Sequence, residues 1–205
     1  RRKSIPRSVQ EDNWSVAERL EVEITKQVEE IGIVLKDGDL KFFRGITSGL
    51  NEAYHIDSAQ RKNFIADSKK NASVIKPLLR GKDIKRYAYT YEEKHMLFIP
   101  WHFPLTDEAD ISNSSAKAEK EFKNQYSAIY NHLLKFKKEL ESRNESETGV
   151  RYEWYALQRY GGNYWQEFEK EKTIWIEISD RANYCLDTEG HYLTNSAYFI
   201  TGKNL

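Results

Sequence analysis

Residues 116–143 read AKAEKEFKNQYSAIYNHLLKFKKELESR, and this stretch decides the class of fold. Phe122, Tyr126, Ile129, Leu133, Phe136 and Leu140 recur at steps of four and three, which lines them along one stripe of an amphipathic helix. Residues 104–115, rich in Asp, Ser and Asn, and residues 144–149, ending in Gly149, read as the loops that bound it. One long helix over 116–143 is therefore expected between two strand-rich regions.

Upstream, Trp14, Ala17, Leu20, Ile24, Val28 and Ile31 repeat at helical spacing, so an N-terminal helix is expected from residue 14 to Gly32, after a polar, basic linker over residues 1–13. Residues 33–36 and 40–46 read as strands around Lys36-Asp37-Gly38-Asp39, because Asp-Gly favours a hairpin turn. Residues 53–56 alternate like a strand, and 60–70 suit a short helix. Residues 75–84 read as a loop or short strand with a Gly turn, and 87–91 and 95–100 alternate as strands. Downstream, strands are expected at 173–178, 182–187, 191–194 and 196–201, with a hairpin turn at Asp187-Thr188-Glu189-Gly190. The resulting class is α+β: a mixed, mostly antiparallel sheet with a long amphipathic helix and an N-terminal helix. Residues 14–205 are read as a single domain. Both ends of the chain are expected to be boundaries inside a longer polypeptide.

The composition narrows function only modestly. Hydrophobic residues reach 39%, enough for a core at 205 residues, so the 31% of charged residues does not imply disorder. The 32 Lys and Arg balance 32 Asp and Glu, which argues against non-specific binding of a polyanion. The distribution is uneven: between Arg61 and Lys94, ten basic residues face four acidic ones, so a segregated basic surface is available. A solvated charged face would show the same excess. The single cysteine, Cys185, excludes an intrachain disulfide and fits a reducing, cytoplasmic compartment. Its alternating context marks it as a core residue. No apolar run has membrane-spanning length, so no membrane partner is expected.

The usual catalytic constellations are missing. His55, His95, His102, His132 and His191 are scattered, with no pair three or four residues apart, so no metal site is expected. Gly45-Ile46-Thr47-Ser48-Gly49 lacks the Gly-Lys-Ser/Thr end of a phosphate-binding loop. Glu169-Lys170-Glu171-Lys172 alternates the carboxylates and lysines that a magnesium-dependent nuclease uses, within a mixed-charge tract that needs no such role.

The remaining features suit binding. Arg44, Thr47, Ser48 and Asn51 are hydrogen-bonding side chains around Gly45 and Gly49, and glycine allows a partner to approach the backbone closely. Asn and Arg carry the bidentate geometry that distinguishes adenine and guanine edges, while Thr and Ser suit phosphate oxygens. Lys76, Arg80, Lys82, Lys85 and Arg86 place five cations within eleven residues. A third cluster, Tyr152-Glu153-Trp154-Tyr155-Ala156-Leu157-Gln158-Arg159, interleaves aromatics with Gln and Arg; Trp154 reads as core, and Gln158 and Arg159 as contacts.

The run Phe43 to Asp57, FRGITSGLNEAYHID, resembles the RGI-x-TG-x-NEAF-x-ID signature of the TaqI-like C-terminal specificity domain, the target-recognition part of type IIG restriction-modification enzymes and related adenine-specific DNA methyltransferases. Ile75 to Tyr87, IKPLLRGKDIKRY, resembles the second motif of that family, and Tyr152 to Tyr155 with Gln158 and Arg159 its third. Lys172 to Ser179 and Tyr198 to Gly202 are similar to its closing strands, so the resemblance runs from about Leu20 to Leu205. Ser48 stands where the family more often has Thr, and His55 where it is usually apolar. The Asn-Pro-Pro-Tyr motif and the Gly-rich S-adenosylmethionine loop of the family's methyltransferase half are not in this sequence.

The resemblance implies a non-catalytic DNA-recognition domain that faces the methyltransferase domain of the same chain across bound double-stranded DNA, in a phage-defence setting. S-adenosylmethionine and Mg2+ belong to the parent enzyme, and no cofactor is expected here. Lys76, Arg80, Lys82 and Arg86 would neutralise phosphates. Arg44, Asn51, Gln158 and Arg159 would reach base edges, and Thr47, Ser48 and Tyr155 complete the expected contact surface. On this reading Arg80→Ala weakens binding to all DNA and lowers the salt dependence. Two other readings compete: a protein-interaction domain using helix 116–143, and a nuclease using residues 169–172.

Overall fold

A computed structural model describes residues 8–10, 13–15, 19–32, 38–108 and 110–202. The strand expected at 33–36 lies outside them. Contacts divide the chain into residues 1–40 and 41–205.

In the first unit, strands β1 (Ser8–Gln10) and β2 (Asn13–Ser15) pair antiparallel, with Val9 opposite Trp14. The N-terminal helix α1 runs Arg19–Ile31, so Trp14 belongs to a strand and not to the helix expected to include it. The local alternation around Trp14 finds an antiparallel partner five residues upstream, and ladder hydrogen bonds override a weak helical period. Gly32 donates its N–H to the Val28 carbonyl at 2.8 Å and closes the helix as expected. Leu20, Ile24, Val28 and Ile31 are exposed on α1.

The second unit is α+β. In chain order its elements are β3 (Leu40–Arg44), α2 (Asn51–Tyr54), β4 (His55–Ile56), α3 (Ser58–Asp67), β5 (Ile75–Leu79), β6 (Ile84–Lys85), β7 (Ala88–Tyr89) and β8 (His95–Leu97). Helices α4 (Ala116–Gln125), α5 (Ser127–Leu134) and α6 (Lys137–Ser142) follow, then β9 (Lys172–Ile176), β10 (Tyr184–Asp187), β11 (Tyr192–Leu193) and β12 (Ala197–Gly202). Two four-stranded sheets form, in the orders β10-β9-β12-β3 and β11-β5-β8-β4. Strands β11 and β5 are parallel, whereas β9 pairs antiparallel with both β10 and β12, and β8 antiparallel with both β4 and β5. Asp57 starts α3 with a reciprocal cap: its carboxylate accepts from the Gln60 N–H at 2.8 Å, and Gln60 Oε1 accepts from the Asp57 N–H at 3.1 Å.

Two expectations are corrected here. Residues 116–143 form three short helices, broken at Tyr126 (φ −135°, ψ 46°) and at Phe136 (φ −109°, ψ 11°). The stripe from Phe122 to Leu140 averages 3.6 residues, so its period alone would permit one straight helix; tertiary packing breaks it, with the Tyr126 ring centroid held 4.8 Å from that of Phe103. Phe122, Ile129, Leu133 and Leu140, spread over the three helices, are all fully buried. With its stripe packed inside its own unit, that stripe is not available to a partner helix; of the segment's large apolar side chains Leu134 is exposed. Second, Asp187 to Gly190 is not a hairpin, because β10 and β11 lie in different sheets. The Asp187 carboxylate accepts from the backbone N–H groups of Glu189 (3.1 Å) and His191 (3.0 Å), while Gly190 takes φ +74°. That turn carries the chain from one sheet to the other.

One group of buried charges is paired in the core. Lys172 and Asp187 are both fully buried, 2.6 Å apart, and His191 Nδ1 lies 2.9 Å from the same carboxylate. Burial works against the Asp187 carboxylate, but the His191 hydrogen bond and the Lys172 charge outweigh it and hold its pKa below the usual range. Cys185 is buried, as its strand context implies. No helix among the described residues is long and apolar enough to cross a membrane.

Candidate nucleic-acid interface

The first motif leaves β3 and crosses to the other sheet, where Ile46 bridges to Thr194 at the end of β11 and the chain continues into β4. Phe43 packs on Tyr164 and Phe199, with ring centroids 4.8 and 5.1 Å away, so strand alternation directs Arg44 to the opposite, exposed face. A Cβ on Gly45 would stand 2.0 Å from the Thr194 carbonyl oxygen, so only glycine fits there. Ile46 donates its N–H to the Leu193 carbonyl at 2.7 Å. Ser48 is buried, and its hydroxyl donates to Asn51 Oδ1 at 2.8 Å, orienting the exposed Asn51 carboxamide. Gly49 sits at φ +84° between them.

The third motif meets the first strand to strand. Thr47 donates to the Arg159 carbonyl at 3.0 Å, and Arg159 returns a bond to the Thr47 carbonyl at 2.9 Å. Gln158 is half-buried and Arg159 exposed beside this bridge. Tyr155, expected on the contact surface, is fully buried and donates its hydroxyl to the Phe103 carbonyl at 2.9 Å. It is a core residue, because the bulky aromatics of this motif fill the space under the three helices. Trp154 is core, as expected, with its indole N–H on Glu119 at 2.8 Å.

Arg143, which the sequence marked only as the end of a helix, joins these motifs. Its guanidinium donates to the Ser48 carbonyl (2.6 Å), the Tyr54 hydroxyl (3.1 Å) and the Trp154 carbonyl (3.1 Å), and also to the Ala156 carbonyl. It makes no ion pair among the described residues. Its side chain passes beneath Gly49, where a Cβ would come within 2.5 Å of Arg143 Cδ. The glycine-flanked turn therefore rests on a half-buried cation bound to carbonyl groups. Helical periodicity carries no signal for such a residue.

The cationic loop divides into compensated and free charges. Arg80 forks onto Asp83, with Nε to Oδ2 at 2.8 Å and an Nη atom to Oδ1 at 2.9 Å, and also reaches Glu92 at 2.6 Å. Burial opposes the Asp83 carboxylate, yet its hydrogen bonds to Arg80 hold its pKa below the usual range. Lys76 lies 2.8 Å from Glu169 and 5.5 Å from the centre of the Tyr192 ring. Lys82 and Arg86 are exposed and make no ion pair among the described residues; Arg86 lies over the Tyr87 ring at 5.2 Å. Arg80 and Lys76, both expected to meet phosphates, are thus each paired with carboxylates of this chain.

The connection Thr194-Asn195-Ser196, between β11 and β12, brings the two segments together. The Gly81 N–H donates to Ser196 Oγ at 3.1 Å, and Arg44 Nε donates to the Asn195 carbonyl at 3.3 Å. An open recess of about 320 Å³ is lined by Thr47, Ser48, Gly49, Asn51, Gln158 and Asn195, among others. A second, of about 300 Å³, lies against Lys82, Glu177 and Ser196. The glycine-flanked turn and the loop near residue 80 therefore approach each other across two consecutive residues. Asn195 and Ser196 were missed as site residues; a polar Thr-Asn-Ser step between two strand patterns was the available turn signal.

Glu169 and Lys172 are occupied elsewhere, by Lys76 and Asp187, which leaves the nuclease reading without its pair. No cluster of three or more His, Cys, Asp or Glu among the described residues could hold a metal ion.

No protein-family model matches the chain. The Type II methyltransferase M.MjaIV of Methanocaldococcus jannaschii is 26% identical over 152 residues, 74% of this chain and 44% of that protein. The chain thus spans less than half the length of this curated relative. Among solved structures, the Type IIL restriction-modification enzyme MmeI in complex with DNA aligns with 78% of this chain and 19% of its own, at 10% identity and a TM-score of 0.47.

Proposed function

We propose that this chain reads duplex DNA sequence within a type II restriction-modification system, as a target-recognition domain of the TaqI-like C-terminal specificity class. The observation that carries this reading is the recess at the junction of the first and third motifs. Asn51 and Gln158 line it on a backbone fixed by the Thr47–Arg159 bridge, and the Gln158 carboxamide makes no hydrogen bond among the described residues. Planar carboxamides held on a rigid edge suit the donor-acceptor pattern of the major groove. Arg159, Lys82 and Arg86 are exposed and supply cations for phosphates. The likeness to a type II methyltransferase supports the same reading.

In this reading catalysis belongs to other domains of the parent protein. These bind S-adenosylmethionine and Mg2+, methylate adenine and cleave, while this chain sets the register of the DNA. Selection from a randomised duplex library by the full-length protein tests it. One short recovered motif is the expected result; sequences recovered without preference would overturn the proposal.

A further inference from the structure

We infer that Asn195 is a third specificity-determining side chain of the recess, and that Arg44 is its positioning residue and not a base reader. The inference rests on the DNA-recognition reading above.

Asn195 occupies the tip of a tight turn in which the Ala197 N–H returns to the Thr194 carbonyl at 3.0 Å. Its neighbours are fixed from several directions. Thr194 donates its N–H to the Leu79 carbonyl at 3.2 Å, and the hydroxyls of Thr194 and Ser196 lie 2.8 Å apart. The Ser196 carbonyl accepts from the Glu177 N–H at 2.9 Å. The backbone of Asn195 is therefore held to a rigid frame, while its carboxamide makes no hydrogen bond among the described residues. The same holds for Gln158, and Asn51 uses only Oδ1, toward Ser48. Three carboxamides with unused donors and acceptors border one recess. A carboxamide offers one face that both donates and accepts, the requirement for telling one base edge from another.

Arg44 cannot serve as a bidentate guanine reader in this arrangement. Its Nε binds the Asn195 carbonyl, one Nη binds Glu177 Oε1 at 2.8 Å, and the guanidinium lies over the Tyr198 ring at 5.6 Å. It locks the turn that presents Asn195.

The test is selection from a randomised duplex library with the full-length protein, its Asn195→Ala and Arg44→Ala variants, and the double variant. The unaltered protein is expected to recover one motif. Asn195→Ala should relax preference at one base pair by about tenfold to a hundredfold, with the salt dependence of binding unchanged. Arg44→Ala should relax the same base pair, and the double variant should add nothing further. Asn195→Asp, which keeps the size but loses the donor, should shift that preference and not merely broaden it. If Asn195→Ala and Asn195→Asp recover the original motif at every position, Asn195 is not a reader, while DNA recognition stands. If Arg44→Ala weakens all sequences alike, its positioning role is overturned. If the unaltered protein recovers no motif, both this inference and the proposed function are overturned.

Discussion

Gly49 stands directly over Arg143. At φ +84° it has no Cβ, and one built there would fall 2.5 Å from Arg143 Cδ and 2.9 Å from Gln158 Oε1. The turn that carries Ser48 and Asn51 can sit this close to the guanidinium only because that position is bare.

Gly49→Ala should therefore destabilise the protein by about 1–2 kcal/mol from the left-handed backbone alone, with displacement of Gln158 on top. The urea midpoint should drop at constant slope, and DNA affinity should fall by more than the stability loss explains. An unchanged midpoint would mean the turn relaxes freely.

Arg143→Ala removes the donor for three buried carbonyls and the Tyr54 hydroxyl. A loss of about 3 kcal/mol or more is expected, since hydrogen bonds from a charged group contribute about 1.5–3 kcal/mol each and are not additive. Arg143→Lys should recover only part of it, because an ammonium cannot reproduce the planar fork. Equilibrium unfolding of the two variants checks both points; full recovery by Lys would show that charge alone matters.

Arg80, Lys82 and Arg86 should separate in salt titrations. Arg80→Ala leaves Asp83, which is only 3% exposed, without its partner, and is expected to cost about 3 kcal/mol of stability without changing the salt slope. Lys82→Ala and Arg86→Ala should leave stability alone, and each should reduce the slope of log K against log salt by about 0.9. This replaces the phosphate role that the sequence suggests for Arg80. A reduced slope for Arg80→Ala at intact stability would restore it.

Acid sensitivity should come in two steps. Burial, with the Arg80 charge adding to it, lowers the His55 pKa from 6.5 to about 4. The unfolded chain then binds the extra proton first, so stability should fall as pH drops from 6.5 to about 4. Asp187 has a depressed pKa, so its contribution is present above the ordinary carboxyl value and is lost as pH falls below about 4. His95 and His132, also lowered by burial, add to the upper step, so in urea midpoints against pH His55→Gln should reduce the upper step and Asp187→Asn the lower. An upper step unchanged in size by His55→Gln would assign it wholly to other groups.

Much of the local structure was legible before folding was considered. The α+β class, α3, β3, the strands near residues 75, 95 and 173–201 and the burial of Trp154 all follow from period and composition. The helix breaks at Tyr126 and Phe136 were not legible, because they answer to where the stripe must meet Phe103 and Tyr155. At the candidate interface the residue types were readable, but their availability was not. Tyr155 sits beside Trp154 in one aromatic motif, and nothing in the order of residues marks Tyr155 as core and not contact.

The amino-acid order alone settles properties that depend on neighbours within a few residues: the period of each element, the glycines at left-handed turns and the cap at Asp57. Folding assigns the charges. Lys76 meets Glu169, Arg44 meets Glu177 and Lys172 meets Asp187 across long stretches of chain. A carboxylate at hydrogen-bond distance changes what a cation can do, and that distance is set by how the sheets are joined.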